Sequence, residues 1–255
     1  MVRGLYTAAT GMLVQTTRMD LISNDLANVN TTAYKKDVAV AESFDEVLMK
    51  RLYGPQDSPF QLVDIGSMTY GAKISDVYTH YMQGSLIKTD HNNNLALQGD
   101  GFFQVETDAG VRLTRDGGFS IDQTGALVTK EGYGVMGEDG PINLGADFFE
   151  SGSPMYIRQD GQIQVGDEIV DTLSIVNVED PQMLIKGADN LYEAQGDTIA
   201  STATVLQGYL ESSNVNPVTA MVDMITVSRI YEASQRMVQV HDELLNKAVN
   251  EVGKA

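Results

Sequence analysis

The 255-residue chain contains no cysteine and no tryptophan, and it has only six prolines. Without cysteine it has no disulfides, no thiolate metal ligands and no cysteine nucleophile. Nothing in it approaches the run of about 18 apolar residues that a membrane-spanning helix needs. The first apolar stretch is soon interrupted by Thr7, Thr10 and Gly11, so no cleavable secretory signal is predicted. Taken alone, these absences predict a cytoplasmic protein, but a chain exported with an uncleaved N-terminus would look the same.

Basic residues are scarce in the middle of the chain. The formal net charge is -18, and residues 37–207 account for it with 27 acidic and nine basic side chains, while residues 1–36 and 208–255 together are neutral. No cluster of Lys and Arg exists, which argues against a nucleic-acid partner because phosphate contacts need such clusters. The acidic middle favours solubility.

Both ends of the chain carry apolar residues at intervals of seven. We predict helices over residues 3–29 and 217–252, the second capped by Asn216 with Pro217 at its first position. Such stripes indicate helices that pack on each other or on other copies. The predicted assembly interface comprises Leu5, Met12, Met19, Ile22, Leu26, Val29, Met221, Met224, Ile225, Tyr231, Val238, Leu245 and Val252.

Residues 61–207 have a different pattern, in which short apolar runs alternate with turn residues such as Asp116-Gly117-Gly118 and Gln159-Asp160-Gly161. Asp-Gly between apolar runs favours hairpins, since glycine accepts the positive φ of a tight turn. The predicted strands span 74–78, 95–97, 102–105, 126–129, 155–158, 162–165 and 172–178. A short amphipathic helix is predicted over residues 38–52.

These patterns predict an α+β fold, with long N- and C-terminal helices forming a coiled-coil layer and a central antiparallel β domain rich in tight turns. The predicted division is a discontinuous helical assembly domain of residues 1–36 with 208–255, a helical or irregular connector of residues 37–60, and a β domain of residues 61–207.

The segment Asn24-Asp25-Leu26-Ala27-Asn28-Val29-Asn30-Thr31-Thr32-Ala33-Tyr34-Lys35 closely resembles the N-terminal signature of bacterial flagellar rod and hook axial proteins. The signature residues are Asn24, Leu26, Ala27, Asn28, Thr31, Tyr34 and Lys35. Ala33 stands where the family usually has glycine, so the turn is expected to differ locally. Further matches follow in order at Leu95–Phe103, Thr114–Phe119 and Gln207–Val215. Within the family the chain looks most like the proximal-rod branch, with the distal-rod branch second.

The resemblance implies a structural subunit of the flagellar basal-body rod, which polymerises through its terminal helices into a helical tube and transmits torque from motor to hook. Its implied partners are copies of itself, other rod and hook proteins, the flagellar type III export apparatus and ring proteins. Its implied location is the basal body, reached without a cleaved signal peptide.

Three weaker motifs favour ordinary structure. Gly132–Gly137 satisfies G-x-G-x-x-G, but the following Glu138-Asp139-Gly140-Pro141 prevents the helix that a dinucleotide site needs, so β turns are predicted. Asp90, Asn92 and Asn94 have the spacing of a calcium loop but lack its glycine and its bidentate Glu. His80, His91 and His241 are scattered. We predict no catalytic, cofactor or metal site and no enzymatic activity.

Two alternatives remain open at this point. One is a secreted binding module whose β domain contacts cell wall or ring proteins, with the helices as an oligomerisation clip. The other is a hydrolase of cell-wall sugar, which would need a defined pair of carboxylates. With 35 acidic residues, the presence of such a pair distinguishes nothing.

Overall fold

A computed structural model describes residues 2–53, 61–145, 155–166 and 168–252. The chain forms two compact units. Unit 1 comprises residues 1–24, 37–78 and 218–255, and unit 2 comprises residues 25–36 and 79–217. The domain boundaries predicted from the sequence remain a prediction. No helix among the described residues is both long and apolar enough to cross a membrane.

One long helix lies at each end of the chain. Helix α1 spans Val2–Ala27 and helix α2 spans Pro217–Lys247, which is followed by a π-helical turn over Ala248–Val252. The predicted start of α2 at Pro217 is confirmed, and proline suits this position because its missing N–H has no helical partner there. Within unit 1 the helices run antiparallel, since Gly4 faces His241 and Gly11 faces Ser234.

The prediction of a coiled-coil layer is wrong. The structure is mostly β, with twenty strands against two α-helices among the described residues. A coiled coil buries apolar side chains along its seam. Here the helices approach through small or polar residues such as Gly4 and Ser234, and among the described side chains of the two helices only Val14 and Val227 are large apolar ones that are buried. An α+β class therefore fits only in part.

Unit 1 also contains four strands: β1 Asp37–Ser43, β2 Val47–Tyr53, β3 Gln61–Met68 and β4 Ala72–Thr79. They form two two-stranded sheets, β1 with β4 and β2 with β3. The prediction of a helix over residues 38–52 is therefore wrong. Its apolar spacing also fits strands, and pairing with distant segments selects the strand. Residues 54–60 of the predicted connector lie outside the described residues.

Unit 2 holds sixteen short strands. They are β5 Leu86–Lys88, β6 Leu95–Gln98, β7 Phe102–Thr107, β8 Gly110–Thr114, β9 Ser120–Ile121, β10 Leu127–Val128, β11 Gly134–Val135, β12 Met155–Ile157, β13 Gln162–Val165, β14 Glu168–Thr172, β15 Ile175–Val178, β16 Leu184–Lys186, β17 Leu191–Ala194, β18 Thr198–Ala200, β19 Thr204–Gln207 and β20 Tyr209–Glu211. A 3₁₀ turn spans Pro181–Met183.

Most of these strands join one antiparallel sheet in the order β16-β17-β8-β7-β11-β10-β9, with β15 pairing β7 and β18. The pairs β19–β6 and β20–β5 and the three strands β12-β13-β14 form smaller sheets. The predicted strands at 74–78, 95–97, 102–105 and 162–165 are confirmed, whereas the one at 172–178 is interrupted between β14 and β15.

Strand β7 is buried on both faces. Successive side chains of a strand point to opposite sides. Phe103 and Val105 accordingly belong to the larger apolar core, which also contains Leu97, while Phe102 belongs to a second core with Tyr192. This double burial makes β7 the centre of unit 2, and the segments flanking both helices are bonded to the elements around it.

Candidate functional site

The turn after α1 carries the signature and is bound to the segment before α2. The backbone N–H of Ala33 donates to the carbonyl oxygen of Glu211 at 2.8 Å, and the N–H of Asn214 donates to the carbonyl of Tyr34 at 3.2 Å. Ala33 has a φ of +56° and is buried. The alanine itself adopts the left-handed conformation that usually favours glycine. The expected local difference from the turn of relatives stays a prediction.

Tyr34 contacts one acidic and one basic side chain. Its hydroxyl donates to the Oδ1 of Asp25 at 3.0 Å, and both side chains are buried. The Nζ of Lys186 lies 4.2 Å from the centre of the Tyr34 ring and donates to the carbonyl of Lys35 at 2.7 Å. A cation over an aromatic face is attracted by the ring quadrupole. These contacts fix the aromatic residue of the signature in unit 2.

Lys35, Arg115 and Glu211 form a buried ion cluster. The Nζ of Lys35 donates to Oε1 of Glu211, and the Nε of Arg115 donates to Oε2 of the same carboxylate at 2.8 Å. The backbone N–H of Gly84 also donates to Oε1, at 2.8 Å. Buried charges are tolerated when they are paired and their remaining bonding capacity is met. The Glu211 carboxylate, at the end of β20, therefore joins the signature to the residue that follows β8.

The remaining donors of the buried ion cluster bind backbone carbonyls. Lys35 donates to the carbonyl of Met82 at 2.8 Å, and the guanidinium of Arg115 donates to those of Leu97, Gly99 and Gly101. Burial lowers the pKa of the Lys35 ammonium below its ordinary value of 10.5, and the Glu211 carboxylate opposes that shift. The cluster is an internal anchor, since its polar groups are directed at protein partners.

Asn214 makes a second link across the same segments. Its Oδ1 accepts from the backbone N–H of Lys36 at 2.9 Å, and its Nδ2 donates to the carbonyl of His80 at 2.6 Å. The backbone N–H of His80 in turn donates to the carbonyl of Lys36 at 2.9 Å. An amide can donate and accept at once, which suits it to joining two backbone segments.

Other residues of the signature segment lie in the turn after α1 or on the last turns of that helix. Thr31 donates from Oγ1 to the Oδ1 of Asn28 at 3.1 Å. Asn24, Leu26 and Ala27 are on the last turns of α1. Thr32 donates to the Oδ2 of Asp116 at 2.7 Å, and this carboxylate also pairs with Lys130 at 3.0 Å. The structure thus brings Thr31, Tyr34 and Lys35 into one bonded region of unit 2.

The predicted assembly residues have two different environments in unit 1. Met221 and Ile225 are exposed, whereas Leu5, Met12, Met19, Ile22, Met224, Tyr231, Val238 and Leu245 are partly buried. Leu26 and Val29 are also partly buried, and the side chain of Val252 lies outside the described ones. Further large apolar residues of α2 are exposed, namely Val218, Val222, Ile230, Met237, Val240 and Leu244.

The structure shows where the residues of the weaker motifs lie and what they contact. Gly134 and Val135 form β11, so the segment Gly132–Gly137, which was predicted to form β turns, contains a short strand. Asn94 donates from Nδ2 to the hydroxyl of Thr89 at 2.9 Å, in the turn that also contains Asp90 and Asn92. In the described part of the chain, no three His, Cys, Asp or Glu side chains come together as a possible metal-binding group.

Sequence reasoning missed Asp25, Arg115, Glu211 and Asn214 as members of this site. All four lie inside the motifs that carry the family resemblance, but a charged residue in a motif does not reveal whether it is buried. Leu210-Glu211-Ser212 has the alternation of a strand with an exposed polar residue, yet Glu211 is buried. Its inward orientation becomes evident only when Lys35 and Arg115 are placed beside it.

Comparisons with known proteins agree with these motifs. The family described as flagella basal body rod protein matches residues 5–35, the FlgE/F/G hook-protein D1 domain matches residues 96–165, and the C-terminal domain of the FlgEFG rod proteins matches residues 206–251. These matches include Lys35, Arg115 and Glu211, respectively.

Relatives match along the whole chain. A flagellar basal-body rod protein FlgG of Buchnera aphidicola (Schizaphis graminum) is 33% identical, and the alignment covers 97% of this chain and 98% of the relative. A basal-body rod protein FlgF of Caulobacter vibrioides is 32% identical, with 98% of each chain covered. The hook-basal body complex protein FlhO of Bacillus subtilis is 28% identical over the full length of both. The chain therefore belongs to the flagellar basal-body rod protein family, and it is a structural subunit of the rod.

Proposed function

We propose that copies of this chain polymerise through the terminal helices into a helical tube that transmits torque from motor to hook. The observation that carries this proposal is the row of exposed apolar side chains on α2, which runs from Val218 to Leu244. Burying each such side chain against a neighbour contributes about 1.5–3 kcal/mol. A helix with apolar residues on several faces favours more than one packing partner.

The buried ion cluster supports this role by joining the segments next to both helices. The turn after α1 and the segment before α2 share backbone hydrogen bonds and the Glu211 carboxylate in unit 2. A subunit that carries load needs such links, because a load applied to one helix then reaches the other through bonded structure. The cluster is proposed as a mechanical anchor and has no role in catalysis.

The proposed partners are copies of this chain, other rod and hook proteins, ring proteins and the flagellar type III export apparatus. The chain would be exported with its N-terminus uncleaved. Its position in the proximal rod also remains a proposal, since the relatives named above include both FlgG and FlgF proteins. The alternative of a secreted binding module is not favoured by these relatives, and no described observation supports a hydrolase.

The decisive experiment is to isolate hook–basal bodies from the source bacterium and quantify this chain against known rod and hook proteins. We expect a fixed small number of copies in each basal body, and loss of motility when the chain is deleted. A soluble protein that is absent from intact basal bodies would contradict the structural role.

A variant can test whether the helices carry the assembly. Leu245→Asp places a charge on the partly buried side of α2 and should prevent incorporation into basal bodies. Ile169→Asp is the matched control, because Ile169 is an exposed apolar residue of β14 in unit 2. Motile cells with normal amounts of the Leu245→Asp protein in their basal bodies would show that this part of α2 is not an interface.

A further inference from the structure

Unit 1 has an aromatic socket at the start of α1. We define it as the cavity of about 510 Å³ lined by Arg3, Tyr6, Phe44, Asp45, Val47 and Tyr70. The rings of Tyr6 and Phe44 are 6.5 Å apart between centroids, and the guanidinium of Arg3 lies 5.8 Å from the centre of the Tyr70 ring. The socket is thus a concave and mostly apolar surface with one basic and one acidic residue.

Unit 1 also has an aliphatic ridge at the start of α2, which we define as Val218, Met221, Val222 and Ile225. Their exposed fractions are 69%, 52%, 56% and 54%. At about 100° of rotation per residue, the four side chains project within roughly one third of the helix circumference. The ridge is therefore one convex apolar surface, and a patch of this kind on a soluble protein marks an interaction site.

The socket and the ridge of one copy are at opposite ends of the antiparallel helix pair. Gly4 of α1 faces His241 of α2, so the socket at Tyr6 lies near that part of α2. The ridge ends at Ile225, which is about 24 Å from His241 at 1.5 Å per residue. A copy consequently cannot place its own ridge in its own socket.

We propose that the aliphatic ridge of one copy docks in the aromatic socket of the next copy. The inference rests on the proposed self-assembly and names the surfaces that carry it. Methionine packs favourably against aromatic rings, which suits Met221 to Tyr6, Phe44 and Tyr70. Because the two surfaces differ, the contact is heterologous: each bound copy still presents a free socket and a free ridge, and this generates an open helical assembly.

The charges next to the ridge and the socket also favour this docking. Arg229 is exposed one helical turn beyond Ile225 and continues the line of the ridge, while Asp45 is exposed at the socket. Docking would bring these opposite charges together at the edge of an apolar contact, where they favour the correct register over others.

The absence of cysteine allows a direct test in the full-length chain. Val47→Cys protein, with the thiol at the socket, is mixed with Val222→Cys protein, with the thiol on the ridge, under mild oxidation. We expect a disulfide-linked pair containing one chain of each kind, and a ladder of covalent multimers from the double variant. Val111→Cys replaces Val47→Cys in the control mixture, because Val111 is a similarly exposed valine in unit 2.

Mixed pairs no more abundant than in the control would overturn the proposal, as would Val222→Cys protein that links to itself equally well. Charge reversal gives a second readout: Asp45→Arg and Arg229→Asp should each reduce cross-linking several-fold, and mixing the two reversed surfaces should restore it. If sedimentation shows assembly without cross-linking, only this contact is wrong. If the chain neither sediments as an assembly nor occurs in basal bodies, the proposed function fails as well.

Discussion

Glu211 accepts a hydrogen bond from Lys35, a residue 176 positions earlier in the chain, and their side chains are 1% and 2% exposed. Arg115 binds the other carboxylate oxygen, so one acid compensates two bases away from water. Removing the shared carboxylate leaves two uncompensated buried charges, which is far more costly than losing an exposed pair. The folding of the signature and of the segment before α2 is therefore interdependent.

Glu211→Gln should be much more destabilising than Lys35→Met. The first change leaves two buried cations without their carboxylate, and we expect it to lower the free energy of unfolding by about 3–5 kcal/mol. The second leaves the Arg115–Glu211 pair in place and removes one of the two cations, so its effect should be less than half as large. Denaturant unfolding followed by far-ultraviolet circular dichroism measures both.

Lys73→Met is the matched control for this comparison. Lys73 pairs with Glu42 at 3.1 Å on the surface of unit 1, with about half of each side chain exposed. Exposed pairs contribute at most about 1 kcal/mol. Equal effects of Glu211→Gln and Lys73→Met would mean that the buried ion cluster is open to water.

Position 33 should tolerate glycine better than any residue larger than alanine. Its φ of +56° costs an L-residue about 1–2 kcal/mol, and glycine removes this cost but loses about 0.5–1 kcal/mol through backbone entropy. Ala33→Gly should therefore change the melting temperature little or raise it slightly. Ala33→Val should lower it strongly, since Ala33 is buried and a branched side chain suits neither the conformation nor the space. Ala109→Val, on an exposed turn, is the control, and a harmless Ala33→Val would refute the left-handed turn.

Local signals in the sequence were sufficient to predict several elements. Proline after asparagine predicted the start of α2, and Asp160-Gly161 predicted the turn between β12 and β13. The segment 38–52 could not be assigned in this way, because its apolar residues fit a helix as well as two strands whose partners are β3 and β4.

The site was only partly predictable for a related reason. Lys35 was identified through the signature, whereas Arg115 and Glu211 belong to other motifs and become functional through contacts between distant segments. The helical pattern was predicted correctly at both ends of the chain, but heptad spacing does not specify which face meets which neighbour. Gly4 and Gly11 of α1 face His241 and Ser234 of α2, so small and polar residues also form the contact between the two helices.

Tyr34→Phe should weaken the anchor of the signature. It removes the hydroxyl that donates to the buried carboxylate of Asp25, and hydrogen bonds to charged groups contribute about 1.5–3 kcal/mol. The aromatic ring remains and still lies beneath Lys186, so packing should be preserved. Chemical unfolding of the variant measures the loss. Tyr156→Phe, at an exposed tyrosine of β12, should have no effect, and equal results for the two variants would contradict a buried Tyr34–Asp25 bond.

Gly117 should be intolerant of even a methyl group. A Cβ at this position would lie 1.8 Å from the carbonyl oxygen of Leu95, a residue of β6 that belongs to the larger core. The N–H of Leu95 donates to the carbonyl of Gly117 at 2.9 Å, so the two backbones cannot separate without breaking that bond. We expect Gly117→Ala to cost about 1–3 kcal/mol by overpacking. Gly134→Ala tests the same chemical change where the nearest atom, the Cβ of Pro141, is 3.8 Å away, and it should change stability little. If the two alanine variants unfold at the same denaturant concentration, the close approach of Gly117 to Leu95 is wrong.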